Sequence, residues 1–272
     1  MDILLFNNIG EYTKFFDSVE KNMKDDIEYM VFKNFNANRI LILAEHAFSE
    51  RIAVPECGKS AYIGIGDKNT DMLARMAAFY SGAAYIIPWL SRQKIDFARD
   101  PGIVGKDNKL LATISHAKPQ QKRYITIHSE ASHLPVLMRY AELIKKLEPK
   151  FILSYHGMHR RHPSDISIGA GPDFVYLGGK AKAWKFVKYT RSRINEKIKE
   201  LGFKFPLDIK LSKIFAGNIN YTLAKYSKKG AICCQVEFNL RGRTSSKLGM
   251  PKRKFQIASQ MLPQCMMEFY GK

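Results

Sequence analysis

Three stretches constrain this chain more than any others: RILILAEH (39–46), KFILSYH (150–156) and GAICCQVEFNL (230–240). Each is a nearly continuous apolar run, the pattern of a strand buried on both faces. Such strands need a sheet that helices cover above and below. The intervening sequence supplies those helices. Residues 70–81 form one, with Asp67 and Asp71 near its start, and LPVLMRYAELIKKLE (134–148) is strongly amphipathic. KAWKFVKYTRSRINEKIKELG (182–202) is a third, closed by Gly202 with lysines in its last turn, and 252–268 is a fourth. AAYIIPW (83–89), QKIDF (93–97), RYITIHS (123–129) and DFVYLGG (173–179) read as further strands. The pattern predicts an α/β fold, a three-layer αβα sandwich around a mostly parallel or mixed central sheet. At 272 residues it is read as one domain, 1–272. Phe15, Phe16, Val19, Met23 and Ile27 recur at roughly helical spacing before the extended piece EYMVFK, so 1–38 reads as a helical N-terminal extension on a 39–272 core.

Several functional classes fall away. The longest nearly apolar run, 73–90, contains Arg75, Gly82 and Pro88 and does not read as a membrane span. The first residues show neither a basic leader nor a small-residue cleavage site, and Cys57, Cys233, Cys234 and Cys265 show no CxxC spacing. A cytoplasmic protein with reduced, buried thiols is expected. The formal net charge of +19 is large, but lysine and arginine are dispersed, densest at 180–199 and 241–254, with no RGG run. Nucleic acid is therefore not the expected partner, and small acidic substrates are. A non-catalytic protein of the same fold that binds RNA or another polyanion is the alternative.

In open α/β sheets, ligands bind at the carboxyl ends of strands. One apolar run delivers Glu45, His46 and Glu50 there, the second His156, and the third Glu237. A lone histidine at a strand end is usually a hydrogen-bonded structural residue. Two of them, far apart in sequence and accompanied by carboxylates, fit zinc better, since imidazole nitrogen and carboxylate oxygen are zinc donors. Three protein ligands and an open position are the usual catalytic arrangement, and zinc brings a water's pKa to about 7. A carboxylate outside that set can take the water's proton and pass it to a leaving amine.

At this point the residues resemble a family. SRQKIDFARDP (91–101) is similar to the Ser-Arg-x-x-Ile-Asp-x-x-Arg-x-Pro signature of N-formylglutamate amidohydrolases. EHAFSERI resembles that family's first histidine motif, GDKNTDMLARMAAFYSGA its Asp-led helix, SYHGMHRRHPSDISIG its second histidine segment, and QVEFNLR its late glutamate strand. The five motifs keep the family's order and cover 39–101 and 150–245. The resemblance implies a zinc-exopeptidase-like, phosphorylase/hydrolase-type fold and metal-dependent cleavage of an N-acyl amino acid.

Carried over residue by residue, it makes His46 and His156 the metal histidines, with Asp67 as the carboxylate ligand by its distance from Ser91-Arg92. Glu50 is the rival for that place, in a His-x-x-x-Glu spacing. Glu237 matches the general base. Arg92 and Arg99 match the signature arginines, whose planar guanidinium holds a substrate carboxylate bidentately. Asp96 between them would orient either one or form a structural ion pair. Arg241 would polarise the scissile carbonyl or hold a carboxylate, unless it is a solvated strand-end arginine. His159 would reach substrate, although an exposed loop accounts for it and for His162 equally well. The chain departs from the family in having Glu45 before the first histidine, Gly157 after the second, and Ala98 within the arginine signature.

Overall fold

The computed structural model of the chain describes residues 2–19, 21–24, 26–47, 52–54, 61–63, 67–90, 97–98, 134–215, 217, 220–244 and 249–271. Helices α1 (Ile9–Asp17), α2 (Phe35–Asn38), α3 (Thr70–Ser81), α4 (Leu134–Leu147), α5 (Lys180–Glu200), α6 (Tyr221–Ser227), α7 (Leu240–Arg243) and α8 (Arg253–Tyr270) surround a central sheet. Its strands are β1 (Asn22–Lys24), β2 (Ile27–Val31), β3 (Ile40–Leu43), β6 (Ala84–Pro88), β7 (Phe151–Met158), β8 (Ile166–Gly169), β9 (Ile209–Leu211) and β10 (Ile232–Asn239). A separate antiparallel pair is formed by β4 (Ile52–Val54) and β5 (Ala61–Ile63).

The eight-stranded sheet has the order β1-β2-β6-β3-β7-β10-β8-β9. β6, β3, β7 and β10 run parallel, and β8 is antiparallel to β10. The sheet is thus mixed and mostly parallel, as the apolar runs require. All four residues of β3 and all five of β6 are buried. After β3 the chain passes through α3 to β6 on one side, then returns through α4 to β7 on the other. The order of strands reverses at β3, and such a switch point leaves a crevice at the strands' carboxyl ends.

Helix α3 buries Leu73, Ala74, Met76, Ala77 and Ala78, and its small residues let α8 pack closely against it. Gly82 ends α3 in the left-handed conformation, with φ of 65°, which glycine takes without a Cβ penalty. Two glutamines of α8 bind the extended N-terminal segment. Leu4 N–H donates to Gln260 Oε1 at 2.8 Å and Phe6 N–H to Gln256 Oε1 at 2.9 Å, while both amides donate back to the carbonyls of the same residues.

A buried ionic cluster joins α1, β2, α3 and β6. Arg75 donates from Nε to Glu28 Oε1 at 2.6 Å, from Nη2 to Glu28 Oε2 at 2.9 Å and from Nη1 to Asp71 at 2.7 Å. Tyr85 and Trp89 donate to the same Glu28 carboxylate, at 2.8 and 3.2 Å.

Two expectations are corrected. The segment before residue 39 is not simply helical: α1 ends at Asp17, and β2 adds to the main sheet antiparallel to β6. Ile27, taken as part of a helical stripe, is buried as the first residue of that strand. DFVYLGG is not a strand either. Residues Pro172–Leu177 are kinked 3-10 turns: Asp173 and Phe174 adopt left-handed φ of 46° and 62° after Gly171, a region that neither extended backbone nor a right-handed helix passes through. The strands expected at 93–97 and 123–129 lie largely or wholly outside the described residues, and Phe97 is in a turn. Cys233, Cys234 and Cys265 are buried free thiols, and Cys57 lies outside the described residues.

Candidate metal centre

Three side chains meet at the crevice beside β3. His46 lies just beyond the strand, after Ala44 and Glu45, and its carbonyl accepts the Asp67 N–H at 2.6 Å. That bond brings the start of α3 back over the end of β3. Asp67 is further held by Thr70, whose hydroxyl donates to the Asp67 carbonyl at 2.6 Å. Asn69 adopts the left-handed conformation, which asparagine tolerates, and its amide donates to the carbonyls of Arg243 and Gly249. His156 comes from the neighbouring strand, β7. Only 6% of His46 and 5% of His156 is exposed.

Asp67 Oδ2 lies 3.3 Å from His156 Nδ1 and 3.7 Å from His46 Nδ1. One donor atom from each of the three residues falls within 4.8 Å of the others. A tetrahedral ion with bonds of about 2.0–2.1 Å separates its ligand atoms by about 3.3 Å. Two imidazoles and one carboxylate at these separations fit zinc or a similar small divalent cation.

The local field favours a cation as well. Burial by itself would push the His156 imidazole down, but hydrogen bonding to Asp67 and Glu45 and the charge of Glu237 outweigh it and raise the pKa to about 10. Burial opposes ionisation of Asp67 and Glu45 too, yet bonding to His156 and the charges of both histidines hold them below the usual carboxylate range. Negative charge at the centre therefore holds a proton on His156 at neutral pH.

Glu237 stands beside this group. In the β7–β10 register it is paired directly with His156, so the two side chains share a face of the sheet. Gln235 donates to its Oε1 at 2.6 Å. Burial pushes the Glu237 carboxyl up to about 7, with the Asp67 charge adding to that, against the lowering effects of His156, Gln235 and Arg243. A buried carboxyl with a pKa near neutrality can both accept and release a proton.

Behind His156 lies a polar network. Glu45, fully buried, accepts from Tyr140 at 2.9 Å, from Ser154 at 2.6 Å and from Asn220 at 2.6 Å. Ser154 Oγ is 2.8 Å from His156 Nε2, and Glu45 Oε2 is 3.4 Å from the same nitrogen. Burial and the charge of Glu45 push the Tyr140 hydroxyl well up, so it remains a donor.

Among the described residues, the buried arginine at this end of the sheet is Arg243. It is 4% exposed, donates from Nε to the Phe238 carbonyl at 2.9 Å, and donates from Nη1 to the Lys68 carbonyl at 2.5 Å. It thereby ties the segment carrying Asp67 to the end of β10, and its charge acts on both Asp67 and Glu237. A Cβ at Gly157 would fall 2.2 Å from Arg243 Cζ, so the guanidinium occupies the space that any other residue there would need. Arg241 is placed differently: it is exposed, and its Nη2 donates to the His162 and Pro163 carbonyls at 3.2 and 3.4 Å. His159 is exposed too, and its Nδ1 accepts the Arg161 N–H. Glu50, Arg92, Asp96 and Arg99 lie outside the described residues.

Sequence reasoning missed Ser154, Asn220 and Arg243. Glu45 is legible there at the end of its strand and as a departure from the resembled motif, but without a role. A signal for Arg243 is Gly157, whose lack of a side chain leaves room for the guanidinium.

By sequence, no family model and no curated protein matches the chain. Solved structures match its fold. Gene product Atu2144 from Agrobacterium tumefaciens superposes with a TM-score of 0.52 at 11% identity, over 91% of this chain and 96% of the other. N-formylglutamate amidohydrolase from Ralstonia eutropha JMP134 superposes with a TM-score of 0.50 at 12% identity, over 90% of this chain and 97% of that enzyme. The expected α/β fold with a mixed, mostly parallel sheet is thus found and shared with these two structures, and at these identities the likeness is one of fold. Among the described residues, no helix is long and apolar enough to cross a membrane.

Proposed function

We propose that this chain is a metal-dependent amidohydrolase that cleaves an N-acyl acidic amino acid, N-formyl-L-glutamate or a close relative, or a small acidic peptide amide. The observation that carries the reading is the convergence of His46, Asp67 and His156 donor atoms beside the buried carboxyl of Glu237. A structural ion pair would need none of that arrangement. A divalent ion held by those three side chains supplies an acidified water and a Lewis acid for the substrate carbonyl.

The chain's own residues do the rest. Glu237 accepts a proton from the attacking water and returns it to the departing nitrogen, for which a pKa near 7 suits both directions. Arg243, beside Asp67 and Glu237, contributes fixed positive charge where oxyanion character develops. Arg92 or Arg99 clamps the substrate carboxylate, with Asp96 orienting one of them. Arg241 and His159, on the exposed rim, would meet the part of a substrate that projects outward. The net charge of +19 draws acidic substrates toward the crevice.

The test is metal analysis of protein purified without chelator, alongside a panel of N-formyl and N-acetyl amino acids. About one divalent ion per chain, lost in His46→Ala, with turnover confined to acidic members, is the expected result. Protein that takes up no divalent ion and turns over no member of the panel would defeat the proposal.

A further inference from the structure

We infer that Glu45, acting through Ser154, is a positioning residue that fixes the tautomer of His156 and so directs Nδ1 at the metal position. This rests on the reading above and deepens it. The protons available to these groups decide the tautomer. An ionised carboxylate only accepts hydrogen bonds, and a serine hydroxyl has one proton to give. Ser154 gives that proton to Glu45 Oε2 across 2.6 Å. Its oxygen must then accept from His156 Nε2, 2.8 Å away. Nε2 therefore carries a hydrogen, and Nδ1, which faces Asp67 Oδ2, is the atom left to bind an ion. Glu45 Oε2, 3.4 Å from Nε2, favours the same tautomer through its charge.

Glu45 itself is held from three directions. Tyr140 on α4 donates to Oε1, and Ser154 and Asn220 donate to Oε2. The orientation of Asn220 is not free either. Its Oδ1 caps α6 by accepting the Leu223 N–H at 3.1 Å, which leaves only its NH2 to face Glu45. α4, β7 and the start of α6 thus converge on one carboxylate, and that carboxylate acts on one imidazole. Partners of this kind raise a histidine's basicity and fix its ring, and their loss typically lowers metal affinity by about 10–100-fold.

Zinc affinity, measured by competition with a chelating indicator, tests this in wild type, Glu45→Gln and Ser154→Ala. Ser154→Ala removes only a hydroxyl, so it remains informative if Glu45→Gln, which turns an amide toward three donors, does not fold. The expected result is a loss of about 10–100-fold in zinc affinity in Ser154→Ala. Histidine-selective ¹⁵N spectra of the zinc-loaded wild type should show His156 protonated at Nε2 and metallated at Nδ1. Zinc affinity and ¹⁵N pattern both unchanged in folded Ser154→Ala overturn the relay and leave the amidohydrolase reading standing. Wild type that binds no zinc overturns both together.

Discussion

Two buried ionic clusters lie on either side of β3, built from similar residues, and they behave in opposite ways. In the Glu28 cluster the cation is part of the fold. Arg75 meets both carboxylate oxygens of Glu28, and Tyr85 and Trp89 add two more donors. In the His156 cluster the carboxylates of Glu45, Asp67 and Glu237 gather around imidazoles, and Arg243 donates to carbonyls rather than to any of them. Both oxygens of the Glu28 carboxylate are met by fixed donors, whereas the other cluster leaves three metal-donor atoms facing each other. A closed cluster holds elements together, while an open one recruits an ion. The location agrees: the open one sits at the switch point of the sheet, the closed one among α1, β2, α3 and β6.

The contrast predicts separable losses. The largest should come from Glu237→Gln, which keeps the donor set but removes the proton carrier. Turnover of an identified amide should fall by about 10²–10⁴-fold with metal content unchanged. Full activity in a metal-loaded Glu237→Gln protein would show that another group carries the proton.

Arg75→Met acts on the other cluster. It leaves Glu28 charged and unpaired in the interior, which costs about 3–5 kcal/mol of stability by urea titration, without changing zinc affinity. Its pH dependence is a second check. In the wild type the pairing with Arg75 overcomes burial and holds Glu28 below the ordinary carboxylate range. A depressed folded pKa gives stability that is present above the unfolded value of about 4.3 and is lost as pH falls through the folded value. Arg75→Met should lose that acid-limb dependence, and an unaltered acid limb would place the effect elsewhere.

The smallest effect concerns zinc and protons. With His156 raised to about 10, zinc must displace its Nδ1 proton at neutral pH. Apparent zinc affinity should then rise by about tenfold per pH unit between about 7 and 9, with proton release seen as a buffer-dependent binding enthalpy. A flat profile would mean that His156 is already neutral and that the two clusters differ less than their geometry suggests.

Much of the fold was legible because burial on both faces leaves a plain mark: ILIL and AYIIP have few alternatives to a central strand. Helices α3, α4, α5 and α8 showed their apolar stripes. What failed was short or locally strained. β8 and β9, of four and three residues, are too brief for any periodicity to register. Phe174, Val175 and Tyr176 have strand-like side chains, but the backbone conformation at Asp173 and Phe174 overrides them. In the candidate centre, His46, Asp67, His156 and Glu237 could be picked out because each ends, follows or opens a recognisable element. Ser154 and the role of Glu45 could not, since a carboxylate behind an imidazole leaves no spacing rule in one sequence. Nor could Arg243 be read in place of Arg241, because that depends on which way one turn of α7 faces.

The glutamine pair on α8 has a consequence for how the molecule comes into being. Gln256 and Gln260 bond to residues 250 and 256 positions away, at the opposite terminus. The segment around Leu4 and Phe6 therefore waits for α8 to be made before it finds these partners. Until then its amides have only solvent for company, and the newborn protein stays unlaced along that seam.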